Sequence, residues 1–308
     1  MSGPNLPYSA GLDPHQYAPD RAPGALPGRF PGSTTMNAAE LPEQYVTRPG
    51  TPMVGPYSTN QMDDFYAALS RGEAKPSGLM NLLQHLIVAE QCAPNSRVLD
   101  VCCGRGLALP LLYRYAPKIG GYVGLDISAA NLDEARERIQ ALRATYGDPF
   151  PVELVECDVA QPWPALPSFD IALYTSALEH LPFELGVQSL RNTAAALAQG
   201  GVLYLSTPAA VGPPPRPLQY RVHLYEWSRD EAEQVIGDAG LVIEDVMGLL
   251  PPAPEVLAAA LTGRYGDAAA AWYRNLVERV PKALLDAVSA VAVPDVATEL
   301  LYVCMRPA

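Results

Sequence analysis

Positively charged residues are scarce in this sequence. Its 308 residues include 21 Lys and Arg against 33 Asp and Glu, which gives a formal net charge of −12. Binding to nucleic acid requires clustered Lys and Arg side chains that neutralise phosphates, and the sequence contains no basic run. The composition therefore argues against a nucleic-acid partner.

Cysteines and long apolar stretches are also few. The five cysteines are an odd number and lack the spacing of a zinc site, so they are expected to be free thiols. No signal peptide and no membrane-spanning apolar run can be recognised. These absences predict a cytoplasmic protein that has no membrane partner.

The composition changes near residue 57. Residues 1–56 are rich in Pro and Gly and poor in aliphatic side chains, so they cannot bury enough apolar surface to offset the entropy of ordering. We expect a disordered or extended arm there, followed by one domain over residues 57–308. Two helices within 57–92 are expected to form a lid, and a helical insertion at 249–297 can cap the site or supply the face of a homodimer.

Within that domain, short apolar strands alternate with helical patterns. This alternation predicts an α/β fold with a Rossmann-like, seven-stranded, mostly parallel sheet that has helices on both faces. The first strand ends at Asp100 and runs into the loop Cys102-Cys103-Gly104-Arg105-Gly106. Loops at the carboxyl ends of parallel strands bind nucleotide-like ligands. A carboxylate at Asp100 disfavours a pyrophosphate there and favours a cationic amino-acid group.

A second strand ends in Asp126, about twenty residues after the loop, and a third is followed by Asp158. This order resembles the class I S-adenosylmethionine-dependent methyltransferases, of the type that acts on small molecules and natural products. The resemblance implies that S-adenosylmethionine lies across the glycine loop, with its ribose on Asp126 and its adenine on Asp158 and Val159. The residues that it assigns to the donor are Asp100, Cys102, Gly104, Gly106, Asp126, Ile127, Asn131, Asp158, Val159 and Ser176.

Two later segments supply candidate catalytic residues. The fourth strand, which contains Tyr174, runs into Glu179-His180, and an adjacent acid and imidazole can act as general base and partner or as metal ligands. His223 follows the fifth strand and a Pro-rich turn. Glu179, His180, His223 and Tyr174 are therefore the catalytic candidates, while an ordinary packing role for these histidines stays open.

Residues around His223 are the candidates for substrate contacts. They are Arg221, which suits an anionic group, and the aromatic side chains of Tyr225 and Trp227. Glu179, His180 and His223 also resemble the metal cluster of small-RNA 3′-terminal 2′-O-methyltransferases, which implies a divalent ion such as Mg²⁺. In that resemblance Ser176 stands where a first acid would be, so one ligand of the cluster is missing.

The sequence thus predicts an enzyme that methylates an oxygen, nitrogen or carbon of a small molecule, in bacterial secondary metabolism. Three alternatives stay open. The first is a prenyl-diphosphate C-methyltransferase, in which Glu179 removes a proton and Mg²⁺ holds the diphosphate. The second is a metal-dependent RNA 2′-O-methyltransferase, and the third is a regulatory protein that binds the donor without transferring its methyl group.

Overall fold

The computed structural model describes residues 76–308. The predicted arm at 1–56 and the part of the predicted lid before residue 76 lie outside this range. In the range that is described, no helix combines the length and apolar character needed to cross a membrane.

Strands and helices alternate through most of the described chain. In chain order they are α1 (Pro76–Gln91), β1 (Arg97–Val101), α2 (Leu109–Tyr115), β2 (Gly121–Asp126), α3 (Ala129–Tyr146), β3 (Val152–Glu156), β4 (Phe169–Thr175), a 3₁₀ turn (Leu178–His180), α4 (Phe183–Ala196), β5 (Leu197–Pro208), α5 (Arg229–Asp238), β6 (Val242–Leu250), α6 (Pro254–Tyr265), α7 (Asp267–Val277), α8 (Lys282–Val291), a second 3₁₀ turn (Pro294–Val296) and β7 (Glu299–Met305).

The seven strands form one sheet in the order β3-β2-β1-β4-β5-β7-β6. The pairs from β3 through β5 are parallel, whereas β7 runs antiparallel to both β5 and β6. The strand order reverses between β1 and β4, and ligands of such sheets bind in the crevice at the carboxyl ends of the strands there. The predicted seven-stranded, mostly parallel fold is confirmed.

Helix starts follow local sequence signals. The side chain of Ser128 accepts a hydrogen bond from the Asn131 amide at the start of α3, and Ser228 and Glu231 form a reciprocal capping box at α5. The α3 cap has a consequence for the site, because the first turn of this helix directly follows Asp126 at the end of β2.

The predicted helical insertion between the last two strands consists of α6, α7 and α8. These helices share a small apolar core of their own, which includes Leu257, Leu261, Tyr273 and Leu285. The insertion returns the chain to the sheet at Glu299, the first residue of β7.

Close packing of α8 against β6 depends on a glycine. A Cβ atom built on the buried Gly248 would collide with the carbonyl oxygen of Ala290 and lie 2.7 Å from Cβ of Ala297. Because a backbone atom cannot move aside cheaply, we expect Gly248→Ala to lower the free energy of unfolding by about 2–4 kcal/mol. Thermal or urea unfolding measures this difference.

The matched control is Gly237→Ala on the exposed face of α5, where a new Cβ would meet no atom within 4 Å. Alanine at an unobstructed helix position should stabilise the protein by up to about 1 kcal/mol. Equal effects of the two substitutions would contradict the close contact between β6 and α8.

Candidate functional site

The carboxylate of Asp126 is held by hydrogen bonds from the glycine loop and from the start of α3. The Gly104 amide donates to its Oδ2 atom at 2.8 Å, and the Ser128 amide donates to Oδ1 at 2.8 Å. The side chain of Asn131 also donates to Oδ1 at 3.3 Å. These donors offset much of the cost of burying the carboxylate, and they fix its orientation at the carboxyl end of β2.

The loop between β1 and α2 keeps a left-handed backbone at three positions. The φ angles are 58° at Cys102, 52° at Gly104 and 68° at Gly106. A Cβ atom at Gly106 would lie 2.7 Å from the Cδ1 atom of Leu109, so this position is also sterically restricted. Cys102 replaces a glycine of the usual pattern at a cost of about 1–2 kcal/mol for its backbone conformation. The loop therefore keeps the curved shape of a glycine-rich loop.

Residues of the next two strand ends differ in exposure. The Ile127 side chain is 48% exposed immediately after Asp126. Asp158 is half-buried, and its Oδ1 atom accepts a hydrogen bond from the Ala160 amide at 3.0 Å, while Val159 is buried. An exposed apolar side chain beside a fixed carboxylate can contact a flat ring, and the carboxylates can accept hydroxyl or amino hydrogens.

Asp100 lies buried at the end of β1. The Tyr122 hydroxyl donates to its Oδ2 atom at 2.7 Å. Burial raises the pKa of Asp100 to about 7, and the nearby charge of Asp126 adds to that rise, although the Tyr122 hydrogen bond opposes it. The carboxyl group is thus poised to ionise near neutral pH when a positive group approaches.

This raised pKa predicts a pH-dependent stability difference. An ordinary aspartate in the unfolded chain ionises near pH 4, so the folded protein binds an extra proton between about pH 4 and 7 and loses stability as the pH rises through that window. We expect Asp100→Asn to match wild type near pH 4 and to exceed it by up to about 4 kcal/mol at pH 8. Urea unfolding at both pH values measures this. A difference that does not change with pH would contradict the raised pKa.

Glu179, His180 and His223 lie together. One ligand atom from each residue falls within 4.8 Å of the others. The 3₁₀ turn after β4 carries Glu179 and His180, and the backbone oxygen of Glu179 accepts hydrogen bonds from the amides of Leu224 at 2.8 Å and Tyr225 at 3.2 Å. This backbone pairing holds the segment that contains His223 against the turn.

Hydrogen bonds orient both imidazole rings. Nδ1 of His180 lies 3.1 Å from the carbonyl oxygen of Val222, and because a carbonyl only accepts, Nδ1 carries the proton. Nδ1 of His223 lies 2.6 Å from Oε1 of Glu226, which also accepts from the Gln219 amide at 2.7 Å. In a neutral ring of this tautomer, Nε2 carries the lone pair that can bind a metal. Burial lowers the pKa of His180 to about 4, which favours the neutral form.

Two further carboxylates, Glu226 and Glu299, influence this cluster electrostatically. Burial raises the pKa of Glu179 well above its ordinary value, and the charges of Glu299 and Glu226 add to the rise. Glu299 accepts a hydrogen bond from the Ser176 hydroxyl at 3.2 Å, across 123 residues of sequence. Glu226 follows His223 by three positions, and this spacing could have indicated from sequence that the two side chains meet. No local signal indicates Glu299.

Three predicted site residues are buried side chains, and their roles as ligand contacts stay predictions. Tyr174 is fully buried, and its hydroxyl lies 2.7 Å from the Ser189 hydroxyl. Tyr225 and Trp227 are buried as well, with the Trp227 ring stacked on Phe183 at 4.9 Å between centroids. All three belong to the apolar core between the sheet and α4, because large rings there gain more from burial than from exposure at the crevice. Arg221 is exposed, and its role stays a prediction.

Helix α1 brings polar side chains to the same sheet edge. Nε2 of His85 lies 3.3 Å from the Thr175 hydroxyl at the end of β4, and the Ser206 hydroxyl donates to Oε1 of Gln84 at 2.7 Å. The Ser206 hydroxyl also accepts from the Ser176 amide at 3.0 Å. This helix, which falls within the predicted lid, therefore supports the β4 and β5 ends that carry the cluster.

Comparison with known proteins gives one consistent result. A family profile described as "Methyltransferase domain" matches residues 98–201. A relative named "Ubiquinone biosynthesis O-methyltransferase" from Xanthomonas campestris pv. campestris is 31% identical over 157 residues, which cover 49% of this chain and 62% of the relative. The chain therefore spans less than two thirds of the length of the curated relatives that it matches.

Two solved structures are also similar to this chain, at lower identity. The small RNA methyltransferase HEN1 aligns over 74% of this chain and 25% of its own, with 14% identity and a TM-score of 0.52. An S-adenosylmethionine-dependent methyltransferase from Clostridium acetobutylicum aligns over 81% of this chain and 99% of its own, with 12% identity and a TM-score of 0.49. At these identities the structural likeness concerns the fold alone.

Proposed function

We propose that this chain is a class I S-adenosylmethionine-dependent methyltransferase, and that it methylates a hydroxyl oxygen of a small molecule with the help of a divalent cation. The observation that carries this proposal is the cluster of Glu179, His180 and His223. The cluster follows β4 and the glycine loop follows β1, and these two strands are neighbours in the sheet. Donor and acceptor sites would thus share one crevice.

The residues at the loop fit S-adenosylmethionine. Asp126 would accept the ribose hydroxyls, the exposed Ile127 and the neighbouring Val159 would contact the adenine ring, and Asp158 would accept from its amino group. Cys102, Gly104 and Gly106 supply backbone that a ligand can approach closely, and Asp100 would face the positively charged amino-acid end. When bound, the donor supplies a methyl group on a positively charged sulfur, so these residues mainly position it.

The residues of the cluster fit a divalent cation that accepts both oxygen and nitrogen ligands, such as Mn²⁺, better than Mg²⁺, which prefers oxygen ligands. Their donor set combines one carboxylate with two imidazoles, whose Nδ1 atoms are held by Val222 and Glu226 so that Nε2 is the ligand atom. A cation there supplies positive charge that lowers the pKa of an acceptor hydroxyl. Glu179 is also a candidate base for the hydroxyl proton.

Two observations favour a small hydroxylated acceptor. The relative from Xanthomonas campestris is named as an O-methyltransferase, and the net charge of −12 disfavours a long polyanion. The exposed Arg221, two residues before His223, is proposed to meet an anionic group of the acceptor. An RNA end is the second candidate, because the three clustered residues are those that the resemblance to small-RNA 2′-O-methyltransferases assigns to a metal.

A transfer assay tests the proposal. The protein is incubated with S-adenosylmethionine that carries a radioactive methyl group, together with panels of phenols, catechols, amines and a short single-stranded RNA, each with Mn²⁺ or with EDTA. We expect label to enter hydroxylated compounds and EDTA to reduce the rate by at least about 100-fold. Transfer that EDTA does not slow would overturn the metal role. Label confined to amines would overturn O-methylation, and label in the RNA would favour the second candidate.

A further inference from the structure

The first residue of β7 lies at the sheet edge where the parallel strands end. Because β7 runs antiparallel to β5, its first residue, Glu299, pairs with Pro208 at the carboxyl end of β5. The Ala209 amide also donates to the Thr298 carbonyl at 3.0 Å, which ties this end of β7 to the segment that follows β5. The antiparallel direction thus brings a carboxylate from the far end of the chain to the crevice.

The side chain of Glu299 is buried, and a hydrogen bond from a residue at the end of β4 fixes its orientation. Its side chain accepts from the Ser176 hydroxyl at 3.2 Å, and Ser176 lies three residues before Glu179. The Thr207 hydroxyl donates to Oε2 of Glu179 at 3.3 Å. The two glutamates are therefore held by hydroxyl groups at the ends of the adjacent strands β4 and β5.

Buried carboxylates at close range repel each other unless a cation or protons compensate their charge. Glu179, Glu226 and Glu299 are between 2% and 4% exposed. Within the described part of the chain, Oε2 of Glu226 has no hydrogen-bond partner. Glu226 is directed at Nδ1 of the His223 ring and would act on a cation through that ring, whereas Glu299 is directed at Ser176, on the segment that carries Glu179.

We infer that Glu299 is the second carboxylate of the cation site, and that it supplies from β7 the negative charge that Ser176 does not supply from the β4 end. This inference rests on the proposed cation site of Glu179, His180 and His223. Among the three clustered residues only Glu179 can carry a negative charge in a ligand atom. A second carboxylate at the same edge of the sheet would therefore strengthen the binding of a divalent ion.

The test is titration of Mn²⁺ into the full chain, followed by the electron paramagnetic resonance signal of free Mn²⁺. Wild type is compared with Glu299→Gln, which keeps the size of the side chain and its acceptor for Ser176. The control is Glu244→Gln, which removes the same charge from an exposed position on the neighbouring strand β6. We expect Glu299→Gln to weaken Mn²⁺ binding by about 10- to 100-fold and Glu244→Gln to leave it unchanged.

A rescue variant separates loss of charge from loss of folding. Ser176→Asp combined with Glu299→Gln moves the carboxylate to the β4 end, where aspartate tolerates the φ of 49°. This double variant should recover most of the lost affinity. If wild type binds Mn²⁺ and Glu299→Gln binds it equally well, the role of Glu299 is overturned while the cation site stands. If wild type binds no Mn²⁺, the cation site itself is overturned, and the inference with it.

Discussion

Replacing Asp126 by Asn is expected to weaken binding of S-adenosylmethionine by at least about 100-fold, equivalent to about 3 kcal/mol. Both oxygens of Asp126 already accept hydrogen bonds, from Gly104 on one side and from Ser128 and Asn131 on the other. An asparagine amide group would present its own hydrogens to one of these donors, so either the loop or the start of α3 would lose its acceptor. The proposed contact with the ribose hydroxyls would also lose its charge-assisted strength.

Calorimetric titration of S-adenosylmethionine measures this loss directly. The control is Asp133→Asn, which removes a charge from the same helix α3, at a side chain that is 73% exposed. It should change the affinity by less than about twofold, because an exposed charge is screened by solvent. Thermal unfolding without ligand shows whether Asp126→Asn remains folded. A folded Asp126→Asn protein that binds the donor as wild type does would show that the ribose is not held there.

The second large effect is expected for His223→Asn, which should weaken Mn²⁺ binding by at least about 100-fold, equivalent to about 3 kcal/mol. The asparagine amide can still donate to Glu226, as Nδ1 of His223 does at 2.6 Å, but it removes the Nε2 atom that we assign to the cation. The substitution must keep a hydrogen-bond donor to Glu226, because a buried carboxylate without its partner would destabilise the fold and obscure the result. Binding of S-adenosylmethionine should change little.

His85→Gln is the matched control for that measurement. His85 is also buried and also lies near the end of β4, but its Nε2 atom contacts Thr175 and it is not part of the three-residue cluster. Its replacement should leave the Mn²⁺ affinity within about threefold of wild type, a change of less than 1 kcal/mol. If both histidine variants lose Mn²⁺ to the same extent, the effect comes from the sheet edge as a whole and the assignment of His223 as a ligand is wrong.

Local sequence patterns were sufficient for the elements of the fold. The last strand, β7, coincides with a short apolar run from Glu299 to Met305, a pattern that local sequence reasoning can recognise. The capping box at Ser228 and Glu231 forms as its spacing predicts. The glycine loop, Asp126 and Asp158 could be placed at strand ends from sequence, since the carboxyl ends of parallel strands meet at one edge. The grouping of Glu179 with His180 and His223 followed from the same rule.

Burial of aromatic side chains was not decided by the sequence. Tyr225 and Trp227 lie two and four residues after His223, and their proximity suggested substrate contacts, yet both rings pack with Phe183. A short segment without regular secondary structure has no periodicity that tells which of its side chains point inward. Only the shape of the surrounding core selects between the two faces.

The contact between Ser176 and Glu299 likewise depends on tertiary structure. The sequence shows Ser176 where an acid would complete the cluster, and it gives no reason to look 123 residues further along. The helical insertion and the reversed direction of β7 bring Glu299 to that place. The sequence by itself determined which elements form and which strand ends carry polar residues, because those depend on neighbouring residues. The tertiary structure decided which distant side chains share a site, because that depends on strand order and direction.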